Sequence, residues 1–175
     1  MFIYILMLVI LQRIIELFVA RRNERWMKSK GAIEAGEGHY PFMVAMHIAF
    51  FVSLIAEVVF FNRSVSAIWI VWLSLFVIAQ VFRVWCLLSL GKYWNTKIIV
   101  LPNAEVVRKG PYKWLRHPNY IIVATELIVL PLLFNAYFTA LLFTCLNIWM
   151  MTVRIPAEEK ALAEVTNYRE QFLIE

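Results

Sequence analysis

Two short stretches concentrate the side chains that can do chemistry. Gly110–Tyr120 reads GPYKWLRHPNY and sets Lys113, Arg116 and His117 among two prolines and three aromatics. Arg154–Leu162 reads RIPAEEKAL. In a helix, Arg154 and Glu158 are four apart and share a face, with Glu159 about 100° round the turn. Ionisable groups concentrated at both ends of a membrane hairpin suggest a polar pocket at the membrane face. A carboxylate such as Glu158 suits a cation, while His117 and the N–H groups at a helix start suit an anion. Tyr112, Trp114 and Tyr120 offer ring faces to a flat or cationic group. Each piece also has a bland reading. His117, Asn119 and Tyr120 suit a helix cap at a membrane interface, and Arg154 with Glu158 an ordinary i, i+4 pair. It is the two stretches jointly that point to a site.

The elements that must position them are membrane helices. Of 175 residues, 62% are apolar and only 17% charged, an excess over soluble domains that lipid-facing surface explains. The pattern predicts a single-domain, all-α integral membrane protein. Five spans fall at about 1–20, 41–61, 65–90, 118–134 and 137–153, followed by a C-terminal amphipathic helix that begins at Pro156. Asn135 and Ala136 leave almost no room between the last two spans, which makes them antiparallel neighbours. Lysine and arginine orient the chain. Five lie in the loop 21–40, six in the connection 91–117 and three from Arg154 on, against Arg63 alone on the other side. The positive-inside rule then puts the N-terminus outside and the C-terminus in the cytoplasm, with both stretches on the cytoplasmic face.

Other features carry less. Arg13 and Glu16 are spaced to pair within the first span, and Arg83 needs a partner among Glu16, Glu57 and Glu126. Cys86 and Cys145 read as small buried hydrophobes, and no spacing suggests a metal site. Gly36 and Gly38 lack the third glycine and preceding strand of a dinucleotide fingerprint. His39 and Tyr40 suit either a pocket mouth or a headgroup-level loop, the loop being the commoner fate. The first run starts without a basic leader or small-residue cleavage site, which predicts a retained span. The net charge of +5 fits membrane orientation, because no nucleic-acid motif accompanies it. A non-catalytic scaffold accounts for spans and basic loops but leaves the paired motifs unexplained, and a transporter lacks a repeat.

R-H-P-x-Y leading into a span, G-P-Y just before it, and a following span ending in R-x-x-x-E-E resemble the isoprenylcysteine carboxyl methyltransferase family. The likeness runs from Trp94 to Phe172, and it is similar to compact bacterial members that resemble alkylpyrone O-methyltransferases. It implies methyl transfer from S-adenosylmethionine to a lipophilic acceptor, a long-chain alkylpyrone-type hydroxyl or a prenylcysteine carboxylate. It implies cofactor contacts from Tyr112, His117, Pro118, Asn119 and Tyr120, from Ala104, Glu105, Val106 and Val107 by spacing, and from Glu158. It implies that Arg154 meets the acceptor. Pro156, between Arg154 and Glu158, and a short N-terminus depart from the eukaryotic members. The implied partners are the acceptor and membrane lipid, with S-adenosylhomocysteine as product.

Overall fold

A computed structural model describes residues 1–172. Eight elements matter: α1 (Phe2–Ser29), β1 (Ile33–Ala35), α2 (Tyr40–Phe60), α3 (Trp69–Leu90), β2 (Ile98–Val100), α4 (Pro118–Leu132), α5 (Tyr137–Val165) and α6 (Tyr168–Phe172). Four helical segments are long and apolar enough to cross a membrane: Phe2–Ser29, Glu37–Phe60, Trp69–Tyr93 and Tyr137–Val165. Only 11% of the apolar window of the first is buried in protein, so lipid must cover the rest. The predicted fourth span is the 15-residue α4, about 22 Å long against a hydrocarbon core of about 30 Å.

The chain clusters into two compact units. The first holds Met1–Glu37, Leu90–Val107 and the chain from Pro156 on. Here α1 runs well past the expected end at residue 20, because Glu24 and Lys28 pair across one turn at 2.8 Å and the residues between are adequate helix formers. Buried Asn23 fastens the helix by donating to the carbonyls of Gly91 (3.1 Å) and Trp94 (2.7 Å). The polar loops contain two strands that periodicity did not predict. β1 and β2 are each three residues long, and they pair antiparallel with Ile33 opposite Val100 and Ala35 opposite Ile98. Ile98 and Val100 form a core with Ala161, flanked by Ala35, Ala157, Leu162 and Val165. That core is the partner of the predicted amphipathic tail.

The tail is not a separate helix, however. Pro156 lies inside α5, which continues to Val165. Proline removes the bond to the Thr152 carbonyl without ending the helix. Both residues are exposed near the predicted membrane edge, where water can satisfy the freed oxygen.

The second unit comprises Gly38–Ser89 and Arg108–Ile155, and so holds α2, α3, α4 and the first part of α5. Its two short turns are tied together. Ser66 N–H donates to the Leu133 carbonyl at 3.0 Å, and the Asn135 amide to the Ser64 carbonyl at 3.2 Å. Glu57, near the end of α2, accepts from Thr139 N–H (2.8 Å), Thr139 Oγ1 (2.9 Å) and Phe138 N–H (3.3 Å) at the start of α5, and from Arg63 (3.2 Å). The open question over Arg83 resolves to Glu126. Its Nε donates to Glu126 Oε1 at 2.9 Å, Nη2 closes on Oε2, and Gln80 adds a bond of 2.6 Å. Cys86 is buried with Ala79 and Ile122. Cys145, expected to be buried, is exposed instead. A single apolar run cannot tell the lipid-facing side of a helix from the core side, since both are apolar.

Candidate active site

Within the second unit, the end opposite the two short turns gathers the chemistry. Gly110 opens a 3₁₀ turn through Lys113 with φ at +53°. A Cβ there would lie 2.2 Å from Ser89 Oγ and 2.7 Å from Trp85 Nε1. The glycine of G-P-Y thus lets this turn close against the end of α3. Tyr112 then packs its ring on Ala79, Cys86 and Ile122, so the residue expected at the cofactor is at least partly core. Trp114 points outward, 70% exposed, in an edge-on contact with Trp85 whose ring centres are 6.2 Å apart. Lys113 and Arg116 are exposed beside it, an arrangement suited to the headgroup layer.

His117 occupies the N-cap of α4 and buried Pro118 its first turn, as proline's fixed φ favours. The His117 side chain makes no capping bond, which removes the cap reading for the imidazole. Its ring lies 5.6 Å from that of Tyr120. The buried Oδ1 of Asn119 has no hydrogen-bond partner among the described residues. Such a group costs on the order of 1–3 kcal/mol if left unsatisfied, so its environment asks for a donor.

Arg154 reaches this end from α5. It is only 5% exposed. Its Nε donates to the Tyr120 hydroxyl at 3.3 Å, and its guanidinium carbon stands 5.9 Å from the centre of the Tyr120 ring. A buried guanidinium oriented by a phenol presents a planar set of donors suited to a carboxylate or enolate. His39, just before α2, comes to the same end of the second unit, because α2 and α5 pack antiparallel with Thr139 on Glu57 and Phe143 on Phe50. The sequence left His39 between a pocket mouth and a headgroup-level loop, with the loop as the commoner fate. The signal was present, HYP directly before an apolar run, but a loop histidine at headgroup depth looks the same.

The first unit holds the other expected residues. Ala104–Val107 is pinned by Asn167, whose Oδ1 accepts the Val106 N–H at 2.9 Å, and by Asn103 N–H on the Val165 carbonyl at 2.8 Å. Ala104, Val106 and Val107 are half-buried and Glu105 is exposed. Glu158 is half-buried on α5. Glu159 accepts from the hydroxyl of buried Tyr168 at 3.1 Å, which gives it a structural task. Lys97 bridges Glu24 and Glu34, both at 3.0 Å, and Lys28 reaches Glu34 at 2.6 Å. Burial alone would push the Glu34 carboxyl up, but hydrogen bonds from Lys28 and Lys97, with their charges, hold it below its ordinary value. The hydrogen bonds to Glu34 and Glu24 hold the Lys97 ammonium's pKa above its own.

Fold and site define a helical membrane protein with a buried arginine and aromatic cluster. A profile of the Isoprenylcysteine carboxyl methyltransferase (ICMT) family matches residues 72–164, and the chain belongs to that family. It is 50% identical over 164 residues to "Uncharacterized protein YpbQ" of Bacillus subtilis, covering 94% of this chain and 98% of that one. It is 30% identical over 154 residues to an uncharacterized protein of Haemophilus influenzae, covering 87% and 90%. No solved structure matches. Members of the family are membrane methyltransferases that use S-adenosylmethionine.

Proposed function

We propose that this protein is an S-adenosylmethionine-dependent O-methyltransferase acting on a lipophilic acidic acceptor at the cytoplasmic membrane face. The observation that carries the reading is Arg154, a buried guanidinium on the Tyr120 hydroxyl and ring. A guanidinium so placed presents donors in a fixed fork that matches an acceptor's carboxylate or enolate oxygen.

The residues present suit the methyl donor. The buried, unpartnered Oδ1 of Asn119 matches a ligand amine or hydroxyl. In this reading His117, Pro118, Asn119 and Tyr120 hold the donor in the second unit. Tyr112 shapes the site from its seat on the core. The bound donor supplies an electrophilic methyl on a sulfonium. Arg154 orients the acceptor's oxyanion for in-line attack, and Tyr120 fixes the guanidinium. A carboxylate or acidic enol is already ionised at neutral pH, so alignment and exclusion of water are the protein's contribution.

For the acceptor we favour a long-chain alkylpyrone-type hydroxyl, with an isoprenylcysteine carboxylate as the alternative. Both combine an anionic head with a chain that partitions into lipid at about 0.8 kcal/mol per buried CH₂. The bacterial origin of relatives that match nearly the whole chain supports the small lipid. The reading takes α4 as a fifth, shorter crossing in one methyltransferase domain, N-terminus outside and C-terminus cytoplasmic. The hydrogen bonds joining the turns at 62–68 and 133–136 support it, since they set those turns at one end of the second unit. The bacterial cell membrane is the location this implies.

The test offers purified protein labelled S-adenosylmethionine with an alkylpyrone, its short-chain analogue and N-acetyl farnesylcysteine. Transfer to the long-chain pyrone is expected. Transfer to farnesylcysteine alone reverses the choice of acceptor, and a protein that neither binds S-adenosylhomocysteine nor transfers methyl is a scaffold.

A further inference from the structure

His39 stands in an unusual position for a loop histidine. It occupies the N-cap of α2, yet its side chain makes no capping bond. Its Nε2 is buried and has no hydrogen-bond partner among the described residues. α2 and α5 lie antiparallel and in contact, with Thr139 N–H on Glu57 and the Phe50 and Phe143 ring centres 5.4 Å apart. Arg154, eleven residues beyond Phe143, thus comes to the same end of the helix pair as His39, eleven before Phe50. The buried Nε2 of His39 and the guanidinium that rests on Tyr120 are therefore gathered at one end of this helix pair, and an anion is what two such donors can share.

We propose that His39 is a second acceptor-binding residue, which donates from Nε2 to the oxygen of the acceptor's head group that is not methylated. The inference rests on the methyltransferase reading and deepens it. Methyl transfer needs one oxygen with a free lone pair aimed at the sulfonium carbon. A planar head with two oxygens, a carboxylate or the enolate and carbonyl of an acidic enone, can bind His39 through one and present the other. Arg154 balances the charge of the whole head. As the new O–CH₃ bond forms, the S–CH₃ bond breaks and the sulfonium becomes a neutral thioether. The acceptor arrives as its anion, so no proton moves. The methylated product is neutral and loses its attraction for Arg154, which favours its release into lipid. The acceptor class is thus a lipid whose acidic head carries two oxygens, rather than a simple phenol.

The test compares wild type with His39→Phe, which keeps a ring but removes the N–H, and His39→Gln, whose amide can replace the Nε2 donor. Binding of 4-hydroxy-6-undecyl-2-pyrone, N-acetyl farnesylcysteine and the methyl ester of the latter is measured by equilibrium dialysis in lipid nanodiscs. S-Adenosylhomocysteine affinity is measured by calorimetry. His39→Phe should weaken one of the two acids at least tenfold. It should leave the ester and S-adenosylhomocysteine within about twofold, and His39→Gln should recover most of the loss. The acid that responds identifies the source of the head group. Unchanged acid binding, or equal losses for acid, ester and S-adenosylhomocysteine, overturns the proposal. Nitrogen-15 histidine spectra of the unaltered protein supply an arm that needs no folded variant: the acid must shift the His39 ring signals and the ester must not. A wild type that binds S-adenosylhomocysteine while its acid binding ignores His39 sinks this inference alone. Acid binding that depends on His39 without any methyl transfer sinks the enzymatic reading and leaves the anion site standing.

Discussion

Arg83 and Glu126 form a two-pronged ion pair inside the second unit, with Arg83 Nε 2.9 Å from Glu126 Oε1 and Gln80 bonded to the same oxygen. Residues on α3 and α4, 43 apart in sequence, thereby lock the short α4 to a long helix. Removing one partner leaves a buried charge. Glu126→Ala should cost about 3–5 kcal/mol, seen as a large drop in melting temperature in detergent. The double variant Arg83→Met, Glu126→Leu should recover most of it. A double variant as unstable as the single would mean that the pair is not coupled.

Gly110 should tolerate no side chain. Its positive φ and the 2.2 Å approach of a Cβ to Ser89 Oγ act together. Gly110→Ala is expected to lose roughly 1–3 kcal/mol through backbone strain and overlap. Adding Ser89→Ala should return only part, because Trp85 Nε1 still stands at 2.7 Å. Thermal unfolding followed by tryptophan fluorescence reads both.

His117→Ala should weaken S-adenosylhomocysteine binding about tenfold, near 1.4 kcal/mol, while Lys113→Ala changes it little. His117 faces Tyr120 at the start of α4, whereas Lys113 is exposed. Calorimetry that finds the two variants alike would return His117 to a purely structural role.

Glu158 and Glu159 should separate by readout. Glu159→Ala removes the partner of the buried Tyr168 hydroxyl and should cost about 1 kcal/mol of stability with cofactor affinity kept. Glu158→Ala should do the reverse. Equal losses of affinity would defeat the assignment of Glu158 to the cofactor.

Acid should loosen the first unit before neutral or alkaline conditions do. The Glu34 carboxyl is held below its ordinary 4.5. Its contribution is therefore full above that pH and fades as pH falls through the lowered value. Lys97 is held above its ordinary 10.5, so its contribution is full below that pH and fades only as pH rises through the raised value. Hydrogen exchange at Ile33–Ala35 should stay slow from about pH 5 to 9 after correction for intrinsic rates, and quicken in acid. Lys97→Ala should blunt the acid response by under about 1 kcal/mol.

Local chemistry made much of this protein legible from its residues alone. Apolar runs must face lipid, so the helical membrane class followed from hydropathy. The Arg13–Glu16 pair followed from helical spacing (2.6 Å), and the family followed from R-H-P-x-Y with R-x-x-x-E-E. The tertiary structure decided what depends on distant neighbours. Arg83 had three possible carboxylates, and only helix placement selects Glu126. Strands of three residues carry no periodic signal, so β1 and β2 exist because α5's apolar face gives Ile98 and Val100 something to cover. Pro156 stays within a helix because its lost bond falls on an exposed side. His39 and Arg154 reach one end of the same unit only because α2 and α5 pack antiparallel and bring together residues more than a hundred positions apart, which no spacing along the chain records.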